Sequence, residues 1–169
     1  MKLSAQEEFG LRCLLHMARQ PEGASTTIPE ISRAERLSIP NVAKLMRLLR
    51  LSGFVASSRG QSGGYTLARP AGQITVGAVL SSLGGNLFGK GFCTRHAGLQ
   101  PECTHNTDCS LRSIWSALQE AVEGVLGNTT LQDLLCSEQE MHAGLTSRRG
   151  TLYQVAVASG VRPSGGRAG

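Results

Sequence analysis

The chain has 169 residues, with 17 Lys and Arg against 12 Asp and Glu and a formal charge of +5. That length fits one domain with a tail, and the mild positive excess favours a polyanionic partner. Aromatic residues make up only 4%, too few for a broad base-stacking surface of the single-strand-binding kind. No apolar run approaches the roughly 20 residues of a membrane span. The opening Met1-Lys-Leu-Ser4 lacks the apolar core of a secretory leader. A cytoplasmic protein without a membrane partner is therefore expected. In that reducing compartment the five cysteines read as thiols or metal ligands rather than as a disulfide framework.

Ser4-Ala-Gln-Glu7 has capping-box spacing. Phe9, Leu11, Leu14, Leu15 and Ala18 continue with helical periodicity to about Arg19. After a break at 20–25, Thr27-Ile-Pro-Glu30 is a second capping box, with Pro29 in the first turn, and opens a short helix ending near Ala34. Glu35 to Ser38 is a tight connection. Ser38 is expected to cap a third helix with a buried stripe of Val42, Leu45, Met46 and Leu49. Asn41, Lys44, Arg47 and Arg50 fall outside that stripe. Gly53 can supply the left-handed residue that stops the helix.

Residues 54–58 and 65–68 are short strand candidates. The loop between them, Arg59-Gly-Gln-Ser-Gly-Gly64, is dense in residues that tolerate positive φ. Thr75 to Leu83 predicts a fourth helix. A glycine-containing loop follows and carries Cys93, Cys103 and Cys109 with C-x9-C-x5-C spacing. From Ser110 to about Leu126, apolar residues at Leu111, Trp115, Leu118, Val122 and Val125 form a heptad-type seam suited to a partner helix. A last helix is expected near Leu131 to His142. Beyond it the chain turns to Gly, Ser, Arg and Pro, a composition that predicts disorder.

These elements predict a mainly α fold: a winged helix-turn-helix with a β-hairpin wing and a long C-terminal dimerisation helix. The expected segments are a DNA-binding domain at 1–83, a cysteine-bearing loop at 84–109, dimerisation helices at 110–143 and a disordered tail at 144–169. A helix with one apolar and one basic face can enter the major groove of double-stranded DNA. Asn41 can pair with adenine, Lys44 and Arg47 can reach guanine or phosphate, and the helix N-terminus at Ser38 favours phosphate oxygens. At the hairpin tip, Arg59 suits a narrow minor groove, with Gln61 and Ser62 as further tip contacts. A basic helical face is commonly only a solvated surface, but the hairpin and the two capped helices before it add to the DNA-binding reading. No nucleophile elbow, P-loop or dinucleotide fingerprint is present, so no enzyme is expected.

Thiolates on one loop are soft ligands suited to iron–sulfur clusters or zinc. Zinc would take Cys93, His96, Cys103 and Cys109 as a tetrahedral set. A cluster-free thiol sensor is a third option. Cys13 and Cys136 lie beside apolar residues and read as small core hydrophobes. Tyr65 reads as a packing residue under the wing.

The segment from Ser38 to Val55, the Arg-Gly-x-x-Gly-Gly-Tyr hairpin up to Pro70, and the three downstream cysteines together resemble the Rrf2 family of bacterial transcription regulators over residues 1 to about 136. The resemblance implies a homodimer joined through the helix from Ser110 and an operator of two-fold symmetry. It also implies a resident iron–sulfur cluster that senses nitric oxide, redox state or iron. The family's cluster-assembly regulators imply a histidine ligand three residues after the last cysteine, where this chain has Arg112, which cannot ligate. Its nitric-oxide sensors imply an acidic ligand from the first helix of the other subunit, and the matching position is Glu8. A 4Fe–4S cluster on Cys93, Cys103, Cys109 and a second copy's Glu8 is preferred. A 2Fe–2S cluster using His105 or His96 is the second choice. The first cysteine spacing is longer than the family commonly has.

Overall fold

The computed structural model describes residues 3–58, 63–84, 92–99, 102–103, 105 and 107–147. They form two compact units, 1–135 and 136–169. Arg59, Gln61 and Ser62 lie outside the described residues, as does most of the expected tail.

In the first unit, helix α1 (Ala5–Ala18) starts at the expected box: the Glu7 N–H donates to Ser4 Oγ and the Ser4 N–H to Glu7 Oε2. Helix α2 (Ile28–Glu35) starts the same way at Thr27 and Glu30. Each box satisfies backbone N–H groups that a helix start leaves without a partner. Helix α3 (Ile39–Leu51) has Ser38 at its N-cap, but the Ser38 side chain makes no cap bond. Gly53 takes the expected left-handed conformation after α3, at φ 75°. After α2 the same conformation falls on Arg36, at φ 54°, a non-glycine residue in a region that costs backbone energy. The turn is held by the Leu37 N–H donating to the Ser32 carbonyl and by the Ser32 hydroxyl donating to the Leu37 carbonyl.

Strands β1 (Val55–Ser58) and β2 (Gly64–Leu67) pair antiparallel, with Val55 opposite Leu67 and Ser58 opposite Gly64. Thr26, just before α2, adds a bridge to the hairpin: Thr26 and Tyr65 exchange two backbone hydrogen bonds of 2.8 Å each. A 3-10 turn (Ala71–Gln73) leads to helix α4 (Val76–Gly84). Leu14, Ile31, Val42, Leu45, Met46, Leu49, Ile74 and Val79 form one core where α1 packs on α2, α3 and α4. Tyr65 packs against it, as expected for a residue under the wing.

Downstream lie the one-turn helix α5 (Phe92–Arg95) and the long helix α6 (Ser110–Gly127). The chain then returns to the core. The Val76 N–H donates to the Thr129 carbonyl at 2.8 Å, the Leu131 N–H to the Ile74 carbonyl at 2.9 Å, and Leu131 is fully buried.

The helix expected near Leu131 to His142 is not there as one piece. A 3-10 turn (Asp133–Leu135) comes first, opened by Asp133 accepting from the Thr130 N–H and hydroxyl. A new helix, α7 (138–147), forms in the second unit. Its start is a capping box that the sequence carries as Ser137-x-x-Glu140. Residues 144–147, expected as the beginning of the tail, belong to this helix. Among the described residues, no helix is long and apolar enough to cross a membrane.

Candidate functional site

Helix α3 owes its two faces to sequence periodicity. Val42, Leu45, Met46 and Leu49 are buried, while Ser38, Ile39, Pro40, Lys44, Arg47 and Arg50 are exposed and Asn41 is half-buried. No acidic residue sits in the first turn, so the positive end of the helix dipole is left uncompensated by its own side chains. Lys44 and Arg47, one turn apart, extend that positive potential along the outward face. Such a surface can hold phosphate oxygens and present donors to base edges.

The hairpin is fixed relative to α3 by packing rather than by chance. Val55 and Phe54 enter the core directly after the helix, and the Phe54 N–H donates to the Leu49 carbonyl. Arg69 lies over the Phe54 ring at 5.4 Å. At the other edge, Gly64 approaches the segment before α2 so closely that a Cβ there would lie 2.4 Å from Ser25 Oγ and 2.9 Å from the Thr26 carbonyl oxygen. The Ser25 and Ser58 hydroxyls are hydrogen-bonded at 2.9 Å. The second glycine of the pair before Tyr65 therefore serves close approach to the 25–26 backbone, beyond the turn chemistry that its sequence context suggests.

The candidate metal ligands lie on α1 (Glu8) and downstream of α4 (the three cysteines). Gln6 Nε2 donates to the Leu83 carbonyl at 2.6 Å. The buried Glu7 side chain fills the space that a side chain at Gly84 would need. The first turn of α1 thus grips the C-terminal end of α4, from which the cysteine segment departs. Glu8, next along, is exposed. Cys93 sits on α5, Cys103 in a connecting stretch and Cys109 at the N-cap of α6; all three are half-buried. The segment is therefore not loop throughout. Phe92 stacks on His96 with ring centroids 4.3 Å apart and meets Trp115 of α6 at 6.4 Å. The Phe92 carbonyl lies 2.8 Å from His96 Nδ1.

Among the described residues, no three His, Cys, Asp or Glu side chains stand close enough together to hold a metal ion. The single chain thus does not bring Cys93, Cys103, Cys109 and Glu8 into one site, nor the His96 and His105 side chains with them. The donor chemistry itself fits a soft metal or cluster: three thiols, partly sheltered, on a short stretch tied to a helix. Cys13 differs from them. It is fully buried, and burial first, then the Glu35 carboxylate, push its thiol up to about 12, so it stays protonated and packs as a small hydrophobe. Cys136, expected as a second core hydrophobe, is exposed between the 3-10 turn and α7.

Of the expected α6 seam, Leu111, Leu118 and Val125 are exposed while Trp115 and Val122 are half-buried. No residue of α6 is buried, and Leu111, Ile114 and Leu118 are 56%, 56% and 45% exposed. With Ala121 and the exposed Val125 they make a 3-4-3-4 stripe. Trp115 and Val122 are half-buried beside it, and Trp115 turns to Phe92. The apolar face left open is thus the one through Ile114 rather than the one through Trp115.

Comparison with known proteins places this arrangement. The sequence pattern described as Rrf2, iron-dependent transcriptional regulator, matches residues 3–137. The HTH-type transcriptional regulator IscR of Cronobacter sakazakii is 30% identical over 139 residues, covering 82% of this chain and 83% of the relative. Among solved structures, CymR, the global cysteine regulator of B. subtilis, matches with TM-score 0.65 and 28% identity over 79% of this chain and 95% of its own. The T. potens IscR structure matches with TM-score 0.63 and 29% identity over 80% of this chain and 86% of its own.

Proposed function

The chain belongs to the Rrf2 family of transcriptional regulators, and from that premise we propose that it binds a double-stranded operator as a homodimer and responds to the state of an iron–sulfur cluster. The observation that carries the DNA-binding reading is helix α3. Its inner stripe is fully committed to the core while Lys44, Arg47 and Arg50 stand exposed beside a braced hairpin. In this reading Ser38 and Asn41 join Lys44 and Arg47 in the major groove. The hairpin tip, with Arg59, Gln61 and Ser62, reaches the adjacent minor groove.

The open stripe of α6 supports a second copy as partner, because an unpaired a/d face is what two such helices bury together. Cys93, Cys103 and Cys109 would hold the cluster, with Glu8 of the second copy as fourth ligand. The preferred cluster is 4Fe–4S, with 2Fe–2S second. When bound, the cluster supplies a centre reactive toward nitric oxide, oxidants and iron loss. The chain's own residues give that centre a packed route to the DNA-reading helix. Phe92 ties the Cys93 turn to Trp115 of α6, Gln6 and Glu7 tie the end of α4 to α1, and α1 packs on α3. A shift along that route changes the spacing of two recognition helices, which has to match the half-site spacing.

A second reading, thiol-redox regulation without a cluster, draws on the likeness to a cysteine regulator and on the same half-buried thiols. Native mass spectrometry of protein purified without oxygen separates the readings. A dimer carrying iron and sulfide supports the cluster. A dimer with zinc supports tetrahedral Cys and His ligation, and a metal-free dimer leaves the thiol reading. For DNA, the Lys44→Ala and Arg47→Ala double variant should bind promoter DNA at least about tenfold more weakly and with a shallower salt dependence. Unchanged binding would remove α3 as the reading helix.

A further inference from the structure

The outward face of α3 is not uniformly polar. Its first turn presents Ile39, which is 54% exposed, next to the exposed Pro40 and the half-buried Ala43 one turn on. Lys44, Arg47 and Arg50 begin only beyond this corner. Ile39 is not part of the core, so about half of a large aliphatic residue is left in water at this corner. In helix-turn-helix proteins the N-terminal residues of the reading helix are those that meet base edges. The thymine C5-methyl is the apolar group that base pairs present in the major groove. Pro40 carries no N–H and so cannot donate a backbone hydrogen bond there.

We infer that Ile39, with Pro40 and Ala43 beside it, reads a thymine methyl in each half-site. This rests on the DNA-binding function proposed above and specifies part of its sequence preference. The polar residues further along α3 then supply positioning on phosphates and hydrogen-bonded readout, while the first turn discriminates by dehydrating one methyl group.

Replacing thymine by deoxyuridine removes that methyl and nothing else from the base pair. The test uses full-length dimer and an operator duplex selected by the protein, with symmetric thymine pairs replaced one pair at a time and binding read by fluorescence anisotropy. Wild-type protein is expected to bind roughly three- to tenfold more weakly at one such pair. Ile39→Ala should bind the unmodified duplex about as weakly as wild type binds the uracil duplex, and should no longer distinguish the two. Ile39→Val should keep part of the difference. Leu51→Ala, which trims a residue 65% exposed at the far end of the same helix, should keep all of it. Equal thymine-to-uracil ratios in wild type and Ile39→Ala, or no sensitive pair in wild type, would overturn the inference while leaving DNA binding intact. Failure of the wild type to bind any duplex would overturn both.

Discussion

Helices α3 and α6 are both amphipathic, but they stand differently in the chain. The apolar stripe of α3 is buried against α1, α2 and α4, and its polar face looks outward. The stripe of α6 looks outward itself, with Leu111, Ile114 and Leu118 about half exposed. The first helix is complete within one chain. The second carries a surface that no described residue of the chain covers, and apolar area left in water forfeits roughly 25 cal/mol per Å². The contrast separates what the fold needs from what the function needs. Residues inside α3 hold the protein together, and the outer residues of α6 are, in the proposed reading, what a second copy would meet.

The contrast can be pressed by substitution. Leu45→Ala, in the α3 stripe, should cost about 2–5 kcal/mol through lost burial and a residual cavity, read as a lowered denaturant midpoint. A cost below that range would mean that the core is looser than the packing indicates. Gly64→Ala should cost about 1–3 kcal/mol by overpacking against Ser25 and the Thr26 backbone. Because the hairpin is braced there, DNA affinity should fall with it.

On α6 the expectation reverses. Ile114→Asp with Leu118→Asp should convert a dimer to a monomer in sedimentation velocity, yet change the stability of the monomeric chain by no more than about 0.5 kcal/mol. A dimer that survives this pair would dismiss the open stripe as its interface. Trp115→Ala, by comparison, should disturb the α5 contact more than assembly. The smallest effect concerns Glu30 in the α2 capping box, where the Thr27 backbone N–H and then its hydroxyl hold the carboxyl below the usual glutamate range. A lowered folded-state value means that the box contributes above the ordinary glutamate pKa and fades as pH falls through the lowered one. Thr27→Ala, which removes the hydroxyl and keeps the backbone N–H, should move the Glu30 titration midpoint, followed by NMR, only part of the way back to its ordinary value.

The DNA-reading half was largely legible in the chain because its signals are local. Ser4 with Glu7 and Thr27 with Glu30 mark two helix starts, the 42-45-46-49 spacing marks the buried stripe of α3, and glycines mark the hairpin. The Ser137 and Glu140 box was equally local. It is outweighed in a reading by periodicity, which runs the helix through 131–135, where Asp133 in fact ties a tight turn to Thr130. The residue type at Arg36 does not announce its left-handed conformation, which goes with the bonds that tie Leu37 back to Ser32.

The amino-acid order alone thus determined the helix starts, the amphipathic stripes, the hairpin and the set of three thiols, all of which follow from spacing and side-chain chemistry over a few residues. Tertiary structure decided which of two overlapping heptad patterns on α6 stays open. Both fit the spacing, and the contact with Phe92 from another segment goes with a half-buried Trp115 and an outward Ile114. It also decided that Glu7 is spent on Gly84 while Glu8 is left exposed, since which of two adjacent carboxylates is buried depends on where another helix ends.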